Sequence, residues 1–409
     1  MGKDSQGRVE PDESVGRLSP GRSKITSIKT FLAFNGYNNF LFVKIETDDG
    51  IHGVGEGSCS GKSASVQMAV KEFERHLIGK DPGLIEYHYQ ALTMGAFWRS
   101  GIVSMSALSA IDQALWDIKG KRLGVPVYEL LGGKVRDKVR CYTHIGGESP
   151  EELAADARRV TTLGWRALKT SSANYFKEAG VLRKEQIEGA RKRLTAAREA
   201  VGEDVDLMVD NHGRFSAPEA IALGKSLEGV GLFFFEEPVP PEDIDGLVRV
   251  SSSLNTPVAT GERLLTRNEV RPLLERNAAA IIQSDVCHAG GISELRRIAI
   301  LAEAYGIKIA PHNPNGPIST AAAAHVAAVS PNFLILEVPR FEPGRLAYAD
   351  WALGVVKNPL KPENGYVQLT DRPGLGIELD EDIIAQHPYN PEERAAPRLS
   401  FEDGSLANW

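Results

Sequence analysis

Six polar residues recur at steps of 23 to 27 residues through the second half of the chain, each at or just after the end of a short apolar run. They are Asp210, Glu236, Glu262, Asp285, His312 and Glu337. Carboxylates and imidazoles are side chains that bind divalent cations and transfer protons. If the fold brings them together, they form one site for metal-assisted acid–base chemistry.

The apolar runs predict the elements that position these residues. Strand-length runs separated by helix-length stretches are typical of repeated βα units. A step of about 25 residues fits a (β/α)8 barrel, whose active sites lie at the carboxyl ends of the strands. Two earlier runs, KVRCYTH ending at His144 and WRALK ending at Lys169, extend the repeat to eight strands. We therefore predict an α/β fold with a TIM-like barrel over residues 139–355.

Three of the carboxylates fall on consecutive strands, the third to the fifth. Asp210, Glu236 and Glu262 would converge on one point, and they cannot all stay ionised there unless a cation neutralises them. An all-oxygen ligand set favours Mg²⁺, with Mn²⁺ as a substitute, over zinc. The alternative is that each is a solvated acid at a strand end.

The next strands carry groups that could transfer protons. Asp285 and His312 end neighbouring strands, and a carboxylate beside an imidazole fixes its tautomer and raises its basicity. His212 follows Asp210 by two positions, so strand alternation predicts that both point into the mouth. Two histidines on either side of a metal could act as proton acceptor and proton donor.

Two further strand-end residues each have two possible roles. Glu337, on the eighth strand, would contact the same ligand as an acceptor, or as a donor if protonated. Lys169, on the second strand, could balance a substrate carboxylate or help an enolate to form. For both, the alternative is a salt bridge at the barrel rim.

The chain outside the barrel divides into three parts. Residues 1–22 are polar and are predicted to be a disordered tail, and residues 23–138 to be an α+β module of a hairpin followed by helices. Gly120 and Gly124 are candidate stops of its long helix. The Pro- and Gly-rich residues 356–409 are expected to return and pack against this module.

Composition excludes several classes of partner. A net charge of −7, with no Lys/Arg block, argues against nucleic acid and anionic membranes as partners. No apolar run approaches the length of a transmembrane helix, and the start of the chain lacks the apolar core of a signal peptide. The three cysteines have no disulfide or metal-site spacing, which predicts a cytoplasmic protein.

The strand-end motifs carry a family resemblance. They include VDNHGRFS, FFFEEP, TGERL, SDVCHAGGISE, APHNPNGPIS and PGLGIELDE. Through them the chain resembles the enolase superfamily in its mandelate racemase-like branch, and it is most similar to the galactonate dehydratase group. Ser171 stands where relatives with a KxK pair carry a second lysine. That difference removes the lysine base of the racemase and cycloisomerase patterns.

The resemblance implies a reaction and a role for each residue. The three carboxylates would hold Mg²⁺, and His312, tuned by Asp285, would remove the proton α to the carboxylate of an aldonic acid. The enediolate would be stabilised by the metal and by Glu337. His212 would protonate the departing 3-hydroxyl, leaving a 2-keto-3-deoxy acid. The implied partners are a small sugar acid, such as galactonate, gluconate or arabinonate, and further copies of the chain in a homo-oligomer.

The resemblance also implies where substrate choice is made. The first module would cap the barrel, and its loops would reach the distal end of the substrate. The candidates are Asn35, Tyr37, Arg99 and, at the end of the first barrel strand, His144. For Tyr37 and Arg99 ordinary packing is an equal alternative. A racemase, epimerase or cycloisomerase, and a barrel that has lost catalysis, remain the alternative functions.

Overall fold

A computed structural model describes residues 23–172, 182–342, 350–393, 400 and 403–406. The predicted tail lies outside the described residues. The strands are β1 Ile25–Phe34, β2 Asn39–Thr47, β3 His52–Glu56, β4 Lys138–His144, β5 Ala167–Ser171, β6 Asp206–Asp210, β7 Phe234–Glu236, β8 Val258–Thr260, β9 Ile281–Ile282, β10 Lys308–Ile309, β11 Leu336–Glu337, β12 Val356–Lys357, β13 Pro362–Glu363, β14 Tyr366–Gln368 and β15 Glu378–Leu379. The helices are α1 Ser63–Leu77, α2 Ile85–Thr93, α3 Ile102–Leu123, α4 Val127–Leu130, α5 Pro150–Thr162, α6 Lys184–Val201, α7 Ala217–Ser226, α8 Ile244–Ser253, α9 Arg267–Glu275, α10 Gly291–Ala304, α11 Pro317–Val329 and α12 Glu381–Gln386.

The first module begins with an antiparallel sheet in the order β1-β2-β3. The predicted hairpin is confirmed, since β2 and β3 pair across the turn at residues 48–50, where Gly50 adopts the left-handed φ of +81° that the turn requires. Strand β2 is buried on both faces because its alternate side chains enter two cores. Val43 packs with the module's helices, whereas Phe42 packs with the barrel.

Helix α3 is the long buried helix of this module. The side chains of its buried face, Leu108 and Ile111 among them, are at most 2% exposed. Gly124 ends the helix in a left-handed conformation, as predicted. The prediction that Gly120 could also stop it is wrong, because the helix continues to Leu123. Gly120 serves close packing instead: a Cβ there would lie 2.6 Å from the Cα of Gly374.

The eight barrel strands β4 to β11 confirm the predicted barrel. Strands β4 to β10 are parallel neighbours in chain order, and β11 pairs with β4. A parallel bridge between Ile309 and Phe333 joins β10 to the segment before β11 and closes the sheet. One buried residue from each strand or its immediate flank fills the interior, and these are Tyr142, Ala167, Met208, Phe234, Ala259, Ile281, Ala310 and Ile335.

This interior layer explains how the site is positioned. Because strand side chains alternate between the two faces, the residue two places after each interior residue returns to the inside, nearer the carboxyl ends. Those positions hold Lys169, Asp210, Glu236, His312 and Glu337. Four of the six residues of the sequence repeat therefore occupy inward-facing positions at one end of the barrel, and the other two, Glu262 and Asp285, lie one and two residues beyond such positions.

The C-terminal segment contacts both the first module and the barrel. Asn39 donates from Nδ2 to the carbonyl of Asn390 at 2.7 Å, and Lys44 lies 2.7 Å from Glu381. Strand β14 pairs with β4 and so extends the barrel sheet. The domain boundaries at residues 138/139 and 355/356 stay predictions. No helix within the described ranges is both long and apolar enough to cross a membrane.

Candidate active site

Three carboxylates meet at the carboxyl ends of β6, β7 and β8. Asp210 and Glu236 are paired in the register of β6 and β7, and Glu262 follows β8 by two residues. One carboxylate oxygen from each lies within 4.8 Å of the others. The structure thus brings together the three residues predicted to bind the metal.

The cluster fits a divalent cation. Glu236 is fully buried, and its Oε2 has no hydrogen-bond partner among the described residues. Burial, reinforced by the charge of Asp210, raises the pKa of Glu236 well above its usual value. An all-oxygen set with an unpaired buried oxygen and mutually repelling charges is suited to a hard cation such as Mg²⁺ or Mn²⁺.

Lys169 lies among these acids. Its Nζ is 2.8 Å from Glu236 Oε1, 3.3 Å from Asp210 Oδ2 and 3.5 Å from Glu337 Oε1. Burial lowers the pKa of Lys169, but the charges of Glu236 and Glu337 outweigh it and hold that pKa well above its usual value. Lys169 is therefore an ion-pair partner inside the mouth rather than at its rim, and its catalytic role stays a prediction.

His312 is held from one side and presents its other nitrogen to the cluster. Nδ1 lies 2.7 Å from Asp285 Oδ2, and Nε2 lies 3.5 Å from Glu262 Oε2. Asp285 also accepts from Asn315 Nδ2 at 2.9 Å and from the Cys287 N–H at 2.6 Å. A buried carboxylate fixed in this way sets the tautomer and orientation of the ring.

The charges around His312 favour its protonated form. Burial lowers the pKa of His312, but the charges of Glu262 and Glu337 and the hydrogen bond to Asp285 outweigh it, so that the pKa is raised well above its usual value. The ring is therefore strongly basic, and it can act as a general base only from its neutral form.

Glu337 is held as an acceptor. Its Oε2 accepts from the Asn313 N–H at 3.1 Å, and its Oε1 contacts His144 Nε2. Burial raises the pKa of Glu337, but the charges of Lys169 and His312 outweigh it and hold the pKa well below its usual value. The structure therefore favours the acceptor form of Glu337 over the donor form.

His212 reaches the cluster by a different route from the predicted one. Strand β6 ends at Asp210, and His212 has a left-handed φ of +50°, so strand alternation does not place its ring. The ring still lies beside the cluster, with Nε2 3.2 Å from Asp210 Oδ2, and its side chain is 38% exposed. His212 thus contacts Asp210 and His312 contacts Glu262, which are the two members of the carboxylate cluster on either side of Glu236.

The predicted distal residues separate into two groups. His144 joins the site through Glu337. Asn35 Oδ1 accepts the N–H groups of Tyr37 and Asn38 in a local turn, and Arg99 is exposed and donates to the carbonyls of two residues in its own loop. The substrate-binding roles of these residues stay predictions.

Three polar residues of the mouth, Glu237, Arg263 and Gln283, were not predicted from the sequence. Glu237 and Arg263 directly follow two of the predicted metal ligands and form an ion pair with a 2.8 Å contact. Gln283 is fully buried, and neither polar atom of its side chain has a hydrogen-bond partner within the described part of the chain. The signal for Gln283 was its position, two residues after the interior residue Ile281.

Helix α3 supports the loop that carries Asp285. Ser106 Oγ lies 2.8 Å from His288 Nδ1, and Ser109 Oγ accepts the Gly290 N–H at 2.8 Å. The first module thus fixes the loop between β9 and α10 through a strip of small polar residues on one helix face. Asp285, and through it His312, is positioned in part by this module.

Two family models match the chain. Residues 19–132 match the mandelate racemase / muconate lactonizing enzyme N-terminal domain, and residues 152–383 match the enolase C-terminal domain-like family. A D-galactonate dehydratase of Variovorax paradoxus (strain S110) is 39% identical over 94% of this chain and 100% of its own length. One from Ralstonia nicotianae is 40% identical, covering 90% of this chain and 96% of that one.

Solved structures agree with these matches. An enolase from Agrobacterium radiobacter, crystallised with bound Na and L-malate, has a TM-score of 0.88 at 34% identity, covering 94% of this chain and 99% of that one. A member of the enolase superfamily from Salmonella Typhimurium has a TM-score of 0.84 at 33% identity, covering 90% and 98%. This chain therefore belongs to the mandelate racemase / muconate lactonizing enzyme family of the enolase superfamily.

Proposed function

We propose that this protein dehydrates an aldonic acid to the 2-keto-3-deoxy acid with the help of Mg²⁺. One observation carries the proposal: two histidines contact opposite members of an acidic cluster. His312 Nε2 lies 3.5 Å from Glu262, and His212 Nε2 lies 3.2 Å from Asp210. Relatives of nearly the same length are D-galactonate dehydratases, which supports the same substrate class here.

Asp210, Glu236 and Glu262 would hold the metal. Enolase-superfamily enzymes use a divalent metal, and the oxygen ligands favour Mg²⁺ with Mn²⁺ as a substitute. When bound, the ion stabilises the negative charge that builds up on the substrate carboxylate.

His312 would act as the base. Its Nε2 takes the proton from the carbon α to the carboxylate, and the C–H electron pair moves towards that carboxylate. Asp285, 2.7 Å from Nδ1, stabilises the imidazolium that forms. Lys169 would lie beside the developing negative charge as a cation. Glu337 would contact the substrate as a hydrogen-bond acceptor.

His212 would act as the acid. Hydroxide is a poor leaving group, so a proton from His212 must reach the 3-hydroxyl as the bond from C3 to oxygen breaks. Water leaves, and the electron pair forms the double bond between C2 and C3. The resulting enol gains a proton at C3 and loses one from its 2-hydroxyl, which gives the 2-keto-3-deoxy acid.

A panel of aldonic and aldaric acids in deuterium oxide tests the proposal. We expect Mg²⁺-dependent formation of a 2-keto product from at least one aldonate, with D-galactonate, gluconate and arabinonate tried first. Deuterium exchange or epimerisation at the α carbon without a 2-keto product would contradict it. That result would favour a racemase or epimerase, because two histidines on either side of the cluster also suit a 1,1-proton transfer.

We also infer that the chain forms a homo-oligomer and acts in the cytoplasm. Phe97 and Trp98 are 88% and 87% exposed, and such adjacent large apolar side chains are typical of contact surfaces. Light scattering after size exclusion should give a multiple of the 44.4 kDa chain mass. A single-chain mass at micromolar concentration would contradict the oligomer, and recovery in a membrane or secreted fraction would contradict the location.

A further inference from the structure

We propose that the Arg263–Glu237 ion pair is a positioning device for His212, which it holds where it can protonate the leaving group. The inference rests on the proposed function, since the role of His212 as the acid belongs to that function. Arg263 and Glu237 are positioning residues in this sense, because they act through the turn that carries His212.

The turn that carries His212 is unfavourable by itself. His212 and Gly213 have φ values of +50° and +64°, both left-handed. A residue with a side chain resists this conformation, so that the surrounding structure must hold it. The Gly213 N–H donates to the Glu237 carbonyl at 2.7 Å, and Glu237 is itself left-handed at +39°. Two strained loops, after β6 and after β7, therefore hold each other.

The Arg263 side chain contacts both Glu237 and the turn at Gly213. Its Nε donates to Glu237 Oε1 at 3.1 Å, and its Nη2 lies 2.8 Å from Oε2, so the planar guanidinium faces both carboxylate oxygens. The same group lies against Gly213, where an added Cβ would be 2.1 Å from Nη2. Arg263 thus occupies the space directly beside the turn.

The location of the ion pair connects it to His212, the proposed acid, rather than to the stability of the whole fold. Glu237 follows the ligand Glu236, and Arg263 follows the ligand Glu262, so the pair connects the ends of β7 and β8 to the turn after β6. A second ion pair serves as a matched control. Arg267 lies 2.6 Å from the buried Glu294 and is 42% exposed, against 35% for Arg263.

The test separates two half-reactions of the Mg²⁺-loaded enzyme. Lysine keeps the charge but loses the planar two-point contact. For Arg263→Lys we expect kcat for dehydration to fall about 100-fold, as for a misplaced catalytic group, while α-proton exchange stays within about threefold. KM should change little. Gly213→Ala, which disturbs the same turn from the other side, should give the same split, and Arg267→Lys should give neither change.

A substrate with fluorine at C3 provides the rescue. Fluoride leaves without a proton donor, so the loss in the Arg263→Lys variant should shrink to about threefold, the level expected for exchange alone. A rise in KM with normal kcat would overturn the inference, because it would indicate direct substrate contact. An equal fall of dehydration and exchange would also overturn it. A wild-type enzyme that exchanges the α proton but never forms a 2-keto product would instead refute the proposed function.

Discussion

Buried carboxylates have opposite surroundings at the barrel mouth and at the seam between the first module and the barrel. At the mouth, Asp210, Glu236 and Glu262 crowd together, and one oxygen of Glu236 lacks a hydrogen-bond partner among the described residues. At the seam, the Glu56 carboxylate accepts from Ser58 Oγ at 2.6 Å and from the N–H groups of Gly316 and Ser319, at 2.7 and 2.9 Å.

The difference shows what each acid contributes. A buried carboxylate with its hydrogen bonds satisfied fixes the geometry of neighbouring segments, and the Glu56 contacts hold the start of α11 against β3. Carboxylates that repel one another cost stability unless a ligand neutralises them. Substitutions at the mouth should therefore remove activity and spare the fold, whereas substitutions at the seam should do the reverse.

The largest expected effect comes from Glu236→Gln. Glutamine keeps the shape but removes one charge of the cluster, so Mg²⁺ binding and 2-keto product formation should be lost, as they should be when wild-type enzyme is stripped with a chelator. The unfolding temperature of the metal-free protein should change little, because the loss of repulsion from Asp210 and Glu262 offsets the loss of the ion pair with Lys169. Calorimetric Mg²⁺ titration and thermal unfolding measure both. A variant that binds Mg²⁺ as wild type does would remove Glu236 from the ligand set.

His312→Asn should have the next largest effect. Because His312 is the proposed base, dehydration and α-proton exchange should fall together, by about 1,000-fold. His52, whose ring pairs with Glu378 far along the chain, provides the control, and His52→Asn should keep full turnover. Product formation and deuterium incorporation are measured on the same samples. A His312→Asn variant that retained wild-type exchange would show that another group is the base.

The mouth was more predictable from sequence than its supports were. Asp210 and Glu236 could be placed because the strand repeat fixes inward-facing positions at one end of a barrel. His212 was expected at the site for the wrong reason, since a left-handed turn rather than a strand carries it. The partners of Lys169, on three other strands, and the pairing of Arg263 with Glu237 depend on contacts between segments that are distant in the sequence. No local periodicity encodes such contacts.

At the seam, Asp117→Asn should lower stability and leave kcat unchanged. Asp117 is buried, accepts the N–H groups of Val54 and Leu375 at 3.0 and 2.8 Å, and lies 2.8 Å from Lys121. Breaking a buried pair of this kind costs about 3 kcal/mol of unfolding free energy. Asp137 also pairs with a lysine but is 90% exposed, so Asp137→Asn should cost less than about 0.5 kcal/mol. Urea unfolding compares the two variants. Equal losses would show that the seam is not held by buried charge.

The smallest expected effect, and the one that depends on pH, is at Glu378 in β15. Burial raises the pKa of Glu378, but hydrogen bonds from His52 and Lys121 outweigh it and bring the pKa from 4.5 to about 2. A depressed pKa gives stability that is present above pH 4.5 and is lost as the pH falls towards 2. Because the side chain is 40% exposed, Glu378→Gln should cost only about 1 kcal/mol at pH 7.

The gap in unfolding free energy between wild type and Glu378→Gln should narrow steadily below pH 4.5. The exposed Glu363 in β13 supplies the control, since Glu363→Gln should show no gap at any pH. A gap that stayed constant down to pH 3 would mean that the side chain contributes packing rather than charge. Charge at the seam would then stabilise the fold only where it is fully buried, as at Asp117.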